Sequence, residues 1–148
     1  MDEIDINMLN ILQKDGRIPI SELSKKLALS RPSVTERLNR LQEKGIIEGF
    51  SAIVSPVSVG RNLLVMIELD ELRIPPLEIE KIIAKESRVI ECHRATGHVH
   101  YYVKAALTGM DDLQQLIERL IPYCNTRTSI LLGTPVEGRV ILPIEERE

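Results

Sequence analysis

Apolar residues return with helical spacing along the first part of the chain. Ile4, Met8, Ile11 and Leu12 follow i, i+4, i+7 and i+8 behind Asp2, a residue type suited to an N-cap, and predict a first helix. The stretch from Ser21 to Leu41 divides into two short helices joined by a tight turn. In its second half Ser30 is a good N-cap, Pro32 is tolerated in the first turn, and Val34, Leu38 and Leu41 recur at i, i+4 and i+7 as a buried face. Gly45 ends that helix, and the β-branched run Ile46 to Val54 predicts a strand or wing.

The pattern changes beyond the linker-like stretch Ser55 to Arg61. Leu63, Val65, Ile67 and Leu69 share one face of a strand over Asn62 to Asp70. Pro75 and Pro76 precede a helix carrying Ile79, Ile82 and Ile83, and the run Arg88 to Ala95 reads as a second strand. A third strand follows the Thr96-Gly97-His98 turn, with Val99, Tyr101, Val103, Ala105 and Leu107 on its apolar face. Leu113, Leu116, Ile117, Leu120 and Ile121 mark another helix, and Asn125 to Leu132 a last strand. The expected class is α+β: a winged helix-turn-helix over 1–50, a linker strand over 51–61, and a ferredoxin-like βαββαβ domain over 62–148. Two helices cover one sheet face, so the mixed opposite face implies a dimer.

Charge narrows the partner. On the second helix of the pair, Ser33, Arg37, Arg40 and Lys44 fall within about 60° of arc beside the core seam. Residues 20–44 hold six Lys or Arg against three Glu, while residues 51–148 are net −3 and the whole chain is −3. A focused cationic ridge on a helix-turn-helix frame fits the major groove of double-stranded DNA. The expected contacts are Lys25, Lys26, Ser30, Arg31, Ser33, Thr35, Arg37, Arg40 and Lys44. The competing reading is a solvated basic face, with Arg37 paired to a carboxylate such as Glu22.

Composition bounds the rest. With 43% hydrophobic residues in 148, the chain can bury a real core. No apolar run approaches the ~18 residues of a membrane span, and the start is acidic where a signal peptide would be basic, so a cytoplasmic protein is expected. Cys92 and Cys124 are too few for a disulfide framework.

The whole chain resembles the leucine-responsive, feast/famine (Lrp/AsnC) family of bacterial and archaeal transcription regulators. The likeness is carried by Ile4-Asp5, Asp15-Gly16-Arg17-Ile18, Glu22-Leu23-Ser24, Leu29-Ser30, Arg37-Leu38 with Leu41, Gly45-Ile46-Ile47, Val89-Ile90-Glu91-Cys92 and Ala95-Thr96-Gly97. The resemblance implies that the second domain is the family's regulation-of-amino-acid-metabolism domain, that sheets pair chains into homodimers, and that dimers assemble further, with an octamer expected, to wrap or bend DNA. It also implies an amino-acid effector held between dimers by a Gly-x-x-Asp-Tyr turn and the strand after the last helix. Here the turn reads Gly97-His98-Val99-His100-Tyr101, so His100 stands where a carboxylate would meet an ammonium group. Imidazole cannot supply that negative charge. The candidate effector residues are Gly97, Val99, His100, Tyr101, Thr128 and Ser129, the last two through their hydroxyls.

Other classes carry less weight. His98 and His100, with Cys92 or His93 nearby, fall short of a metal site, so a metal-responsive regulator ranks below an effector-independent, DNA-wrapping protein as the alternative. The βαββαβ topology also serves RNA-recognition modules, but this chain has only Phe50, Tyr101, Tyr102 and Tyr123 as aromatics, with Tyr101 and Tyr102 on opposite strand faces. No phosphate loop, nucleophile elbow or clustered acid-base pair is evident, so neither an enzyme nor a cofactor is expected.

Overall fold

The computed structural model describes residues 1–144. It divides into two compact units, Met1–Ala52 together with the stretch from Val136 onward, and Ile53–Pro135.

The first unit holds helices α1 (Glu3–Lys14), α2 (Ile20–Leu27) and α3 (Arg31–Glu43). A capping box starts α1: the Asp5 amide donates to the Asp2 carboxylate at 2.8 Å, and the Asp5 carboxylate reaches back to the Asp2 amide. Met8, Leu9, Leu12, Leu23, Val34 and Leu41 form the core where the three helices meet, with Leu38 and Ile47 partly buried against them. The strand or wing expected over Ile46 to Val54 does not form. Gly45 turns left-handed at φ +66°, and the amides of Ile46 and Ile47 donate back to the Leu41 carbonyl, closing the helix end. Beyond that point residues 48–54, of which only Ile53 and Val54 are β-branched, have no ladder partner among the described residues, and strand propensity without pairing does not make a strand.

Residues 136–144, expected in the second domain, group with the first unit. The Gln13 amide holds them there reciprocally: Nε2 donates to the Ile141 carbonyl at 2.8 Å, and the Ile141 amide donates to Oε1 at 2.9 Å. The last four residues of the expected span 62–148 lie outside the described residues.

The second unit follows the expected order. Strands β1 (Leu63–Asp70), β2 (Val89–Arg94), β3 (Tyr101–Leu107) and β4 (Asn125–Ile130) form one antiparallel sheet in the order β2-β3-β1-β4, with α4 (Pro76–Ala84) and α5 (Met110–Leu120) as crossovers. Val65, Ile67, Leu69, Val103 and Ala105 pack on Ile79, Ile83, Leu113 and Leu116 to make its core. The opposite face carries Met66, Glu68, Tyr102 and Lys104, with ion pairs Lys104–Glu91 at 2.8 Å and Arg127–Glu68 at 3.2 Å. The expected linker strand at 51–61 is instead irregular, with one 3-10 turn at Val57–Val59.

Candidate nucleic-acid interface and effector region

The turn between α2 and α3 is three residues, Ala28, Leu29 and Ser30. Ala28 adopts the left-handed region at φ +53°, and the Leu29 amide donates to the Ser24 carbonyl at 3.0 Å, which brings the chain about sharply enough to start α3. The Ser30 hydroxyl accepts from the Ser33 amide and lies 2.8 Å from the Ser33 hydroxyl, so the start of α3 is held by its own side chains. Thr35 donates its hydroxyl to the Arg31 carbonyl at 3.0 Å. Lys25, Lys26, Arg31, Thr35 and Lys44 are exposed, and Ser33 is partly buried.

Arg37 and Arg40 sit differently from the sequence expectation. The Arg37 guanidinium donates to Asp2 and Asp5 at 2.7 Å each, and Arg40 Nη2 meets both Asp5 oxygens at 3.1 Å. Asp5 is only 3% exposed. Hydrogen bonds to Asp2 and then Asp5 raise the Arg37 pKa further above its ordinary value, and the Asp5 amide, followed by Arg37, holds Asp2 below the usual carboxylate range. Glu22, the partner suggested for Arg37, pairs with Lys25 at 2.8 Å instead. The two arginines thus tie α3 to the start of α1. The sequence signal that could have found this is spacing: Asp5, Met8 and Leu12 follow i, i+3 and i+7, which places a carboxylate on the apolar stripe, where it needs a charged partner.

In the second unit the Gly97 turn has φ +105°, a backbone conformation that favours glycine. Val99 and His100 precede β3 and do not belong to it. The His100 amide donates to the Leu69 carbonyl at 2.8 Å, and its carbonyl accepts from the Ala95 amide at 2.9 Å, leaving the imidazole exposed. His98 Nε2 lies 3.7 Å from Asp70. Tyr101 is 1% exposed, and its hydroxyl donates to Glu80 on α4 at 2.6 Å. Burial, reinforced by Glu80, pushes that phenol up to about 12.

Thr128 pairs with Ile67 and Ser129 with Met66, so their side chains leave β4 on opposite faces. Both lie in the strand's interior, while the Gly97 turn lies at the Leu69 end of β1, opposite Thr126. One chain therefore does not gather the turn and these hydroxyls into a single pocket. Among the described residues no group of three or more His, Cys, Asp or Glu is placed to hold a metal.

Two family models match the chain. Residues 1–48 match a winged helix-turn-helix DNA-binding model, and residues 62–141 match an Lrp/AsnC ligand binding domain. The chain belongs to the Lrp/AsnC family. Over 139 residues, 89% of this chain and 85% of that protein, it is 35% identical to the leucine-responsive regulatory protein of Escherichia coli. Among solved structures it resembles LrpC of B. subtilis, with TM-score 0.86, 28% identity and coverage of 90% of this chain and 96% of that one. It also resembles a Neisseria meningitidis transcriptional regulator in complex with L-Met (TM-score 0.87, 25% identity, 95% and 96% covered). A third is the feast or famine regulatory protein of M. tuberculosis complexed with L-methionine (TM-score 0.85, 29% identity, 96% and 99% covered). As an Lrp/AsnC protein this chain is a DNA-binding transcriptional regulator, and its α2–α3 pair is the helix-turn-helix of the DNA-binding domain. No helix among the described residues is long and apolar enough to cross a membrane.

Proposed function

We propose that this Lrp/AsnC chain controls transcription as a homodimer that lays two copies of α3 into successive major grooves and answers to an amino-acid effector. The observation that carries the DNA reading is the division of α3. Its first turns present Arg31, Ser33 and Thr35 behind the Ser30 cap, while Arg37 and Arg40 are engaged by Asp2 and Asp5. Base edges are then read by Arg31, Ser33 and Thr35, and phosphates are met by Lys25, Lys26, Ser30 and Lys44. Arg37 and Arg40 act by setting the pitch of α3 on α1, with the outward side of Arg40 facing phosphate.

The dimer reading rests on the uncovered sheet face with Met66 and Tyr102, and higher assembly to an octamer is proposed from the family likeness. Two relatives of this fold bind L-methionine, which supports an amino-acid effector for this chain, with the Gly97 turn, Val99 and His100 of one copy and one of the two hydroxyls, Thr128 or Ser129, of another as one arrangement. The protein works in the cytoplasm, without catalytic activity or a cofactor.

The test is affinity for a selected operator at several salt concentrations. Arg31→Ala should weaken operator binding by about 1–3 kcal/mol and relax one base position. Lys25→Ala should weaken all sequences alike and reduce the salt slope by about 0.9. Wild-type affinity and slope in both variants would refute this docking. A short footprint would support operator control, and a long phased one would point to wrapping.

A further inference from the structure

The first unit contains a cleft of about 620 Å³ between α1, the residues that follow α3 and the stretch from Val136 onward. Leu9 and Leu12 of α1 line it, with Ile47 and Phe50 from beyond α3 and Ile141 and Leu142 from the 136–144 stretch. The Phe50 ring packs on Gly16 so closely that a Cβ there would meet it at 3.3 Å, which pins that side of the cleft to the end of α1.

The other side is held by much less. Among the described residues, the hydrogen bonds that tie 136–144 to the helices are the two between Gln13 and Ile141, at 2.8 Å and 2.9 Å. Ile141 is 80% exposed, Leu142 43% and Ile144 94%. Large aliphatic side chains left in water beside an apolar cleft of their own unit describe a strap that is pinned at one point and not seated. Seating it takes apolar surface of both strap and cleft out of water, against the cost of ordering a few more residues.

What a seated strap holds is α3. The Arg37 and Arg40 pairs with Asp2 and Asp5 tie α3 to the start of α1. The cleft lies toward the other end of α1, beside Gln13, where Ile46 and Ile47 leave α3 with their amides bonded to the Leu41 carbonyl. Filling it ties the exit of α3 to the end of α1, so that α3 is fixed at both ends. A helix fixed in this way meets the groove with less ordering left to do, and by linkage DNA that prefers the fixed pitch also favours the seated strap. We propose that residues 139–144 form a strap that closes into this cleft when α3 engages DNA and thereby strengthens DNA binding. The proposal rests on the α3 docking above and adds to it a segment that lies outside the helix-turn-helix.

Ile141→Ser in the full chain tests it, because that side chain is exposed in the free protein and its backbone bonds to Gln13 do not depend on it. The urea midpoint and the subunit mass by light scattering should match the wild type, while affinity for the selected operator falls about tenfold, as the loss of a buried aliphatic side chain implies. Ile141→Val should keep wild-type affinity. Hydrogen–deuterium exchange of residues 139–144 reads closure directly: saturating operator duplex should slow it in the wild type and in Ile141→Val, and leave it fast in Ile141→Ser, which separates closure from shielding by the DNA. If Ile141→Ser binds operator as the wild type does, or if duplex leaves the exchange of the wild type unchanged, the strap is refuted while the α3 docking stands. A changed midpoint or subunit mass in Ile141→Ser would assign the side chain to folding or assembly and overturn the proposal. If the wild type shows no selective operator binding, the α3 docking falls, and the strap with it.

Discussion

Asp5 ties α3 to the start of α1, and Asp5→Ala tests how much that tie contributes. The carboxylate is 3% exposed and accepts from Arg37 at 2.7 Å and from Arg40 at 3.1 Å on each oxygen. Removing one partner of a buried ion pair costs about 3–5 kcal/mol when the other charge remains trapped. Here the Arg40 side chain is 43% exposed and Arg37 keeps Asp2, so both guanidiniums have a route to water or a second anion. The expected loss is therefore about 2–3 kcal/mol, below the buried-pair range. For a domain of this size that lowers the unfolding midpoint by roughly 10–20 °C. Urea unfolding gives the free energy, and a double-mutant cycle of Asp5→Ala with Arg37→Met should return a coupling of about 1 kcal/mol or more. A change below about 0.5 kcal/mol, the size of an ordinary surface substitution, would refute the clamp.

Three further outcomes are expected. Ala28→Gly should stabilise the first unit by about 0.5–1 kcal/mol, because Ala28 holds φ +53° and glycine adopts that region freely; an unchanged or lower midpoint in urea would count against strain at the turn. Acid should loosen the second unit. Glu86 is held below its ordinary 4.5 chiefly by the Arg88 guanidinium, and Asp112 below 3.8 chiefly by the Thr108 amide, so their stabilisation is complete above the unfolded values and drains away as pH falls through the lowered ones. The unfolding midpoint should therefore stay level from pH 7 to about 5 and fall below about 4, and a level profile down to about pH 3 would contradict this. Gln13→Ala removes both hydrogen bonds to Ile141, so a protease should cut residues 136–144 faster than in the wild type, and equal rates would mean that Gln13 does not hold them.

What the sequence determined by itself was everything set by local periodicity. Val34 and Leu41, the alternation through Val65, Ile67 and Leu69, and the Leu113–Leu116–Leu120 stripe each encode a helix or strand and the face it buries, because side-chain direction repeats at 3.6 or 2 residues whatever the rest of the chain does. The order of those elements then left the βαββαβ sheet as the compact solution, and the cationic helix-turn-helix named DNA as the partner. The tertiary structure alone decided where charges point. Arg37 and Arg40 lie on the basic stripe by their spacing, yet Asp2 and Asp5, more than thirty residues earlier, capture them. The same holds for Ile46 to Val54, whose β-branched residues need a partner strand that a local pattern cannot supply. It holds too for Tyr101, which sits beside His100 in sequence while its hydroxyl reaches Glu80 on α4. Helix period and strand alternation are properties of neighbours along the chain, whereas an ion pair or a cleft is made by groups that only folding brings within a few ångströms.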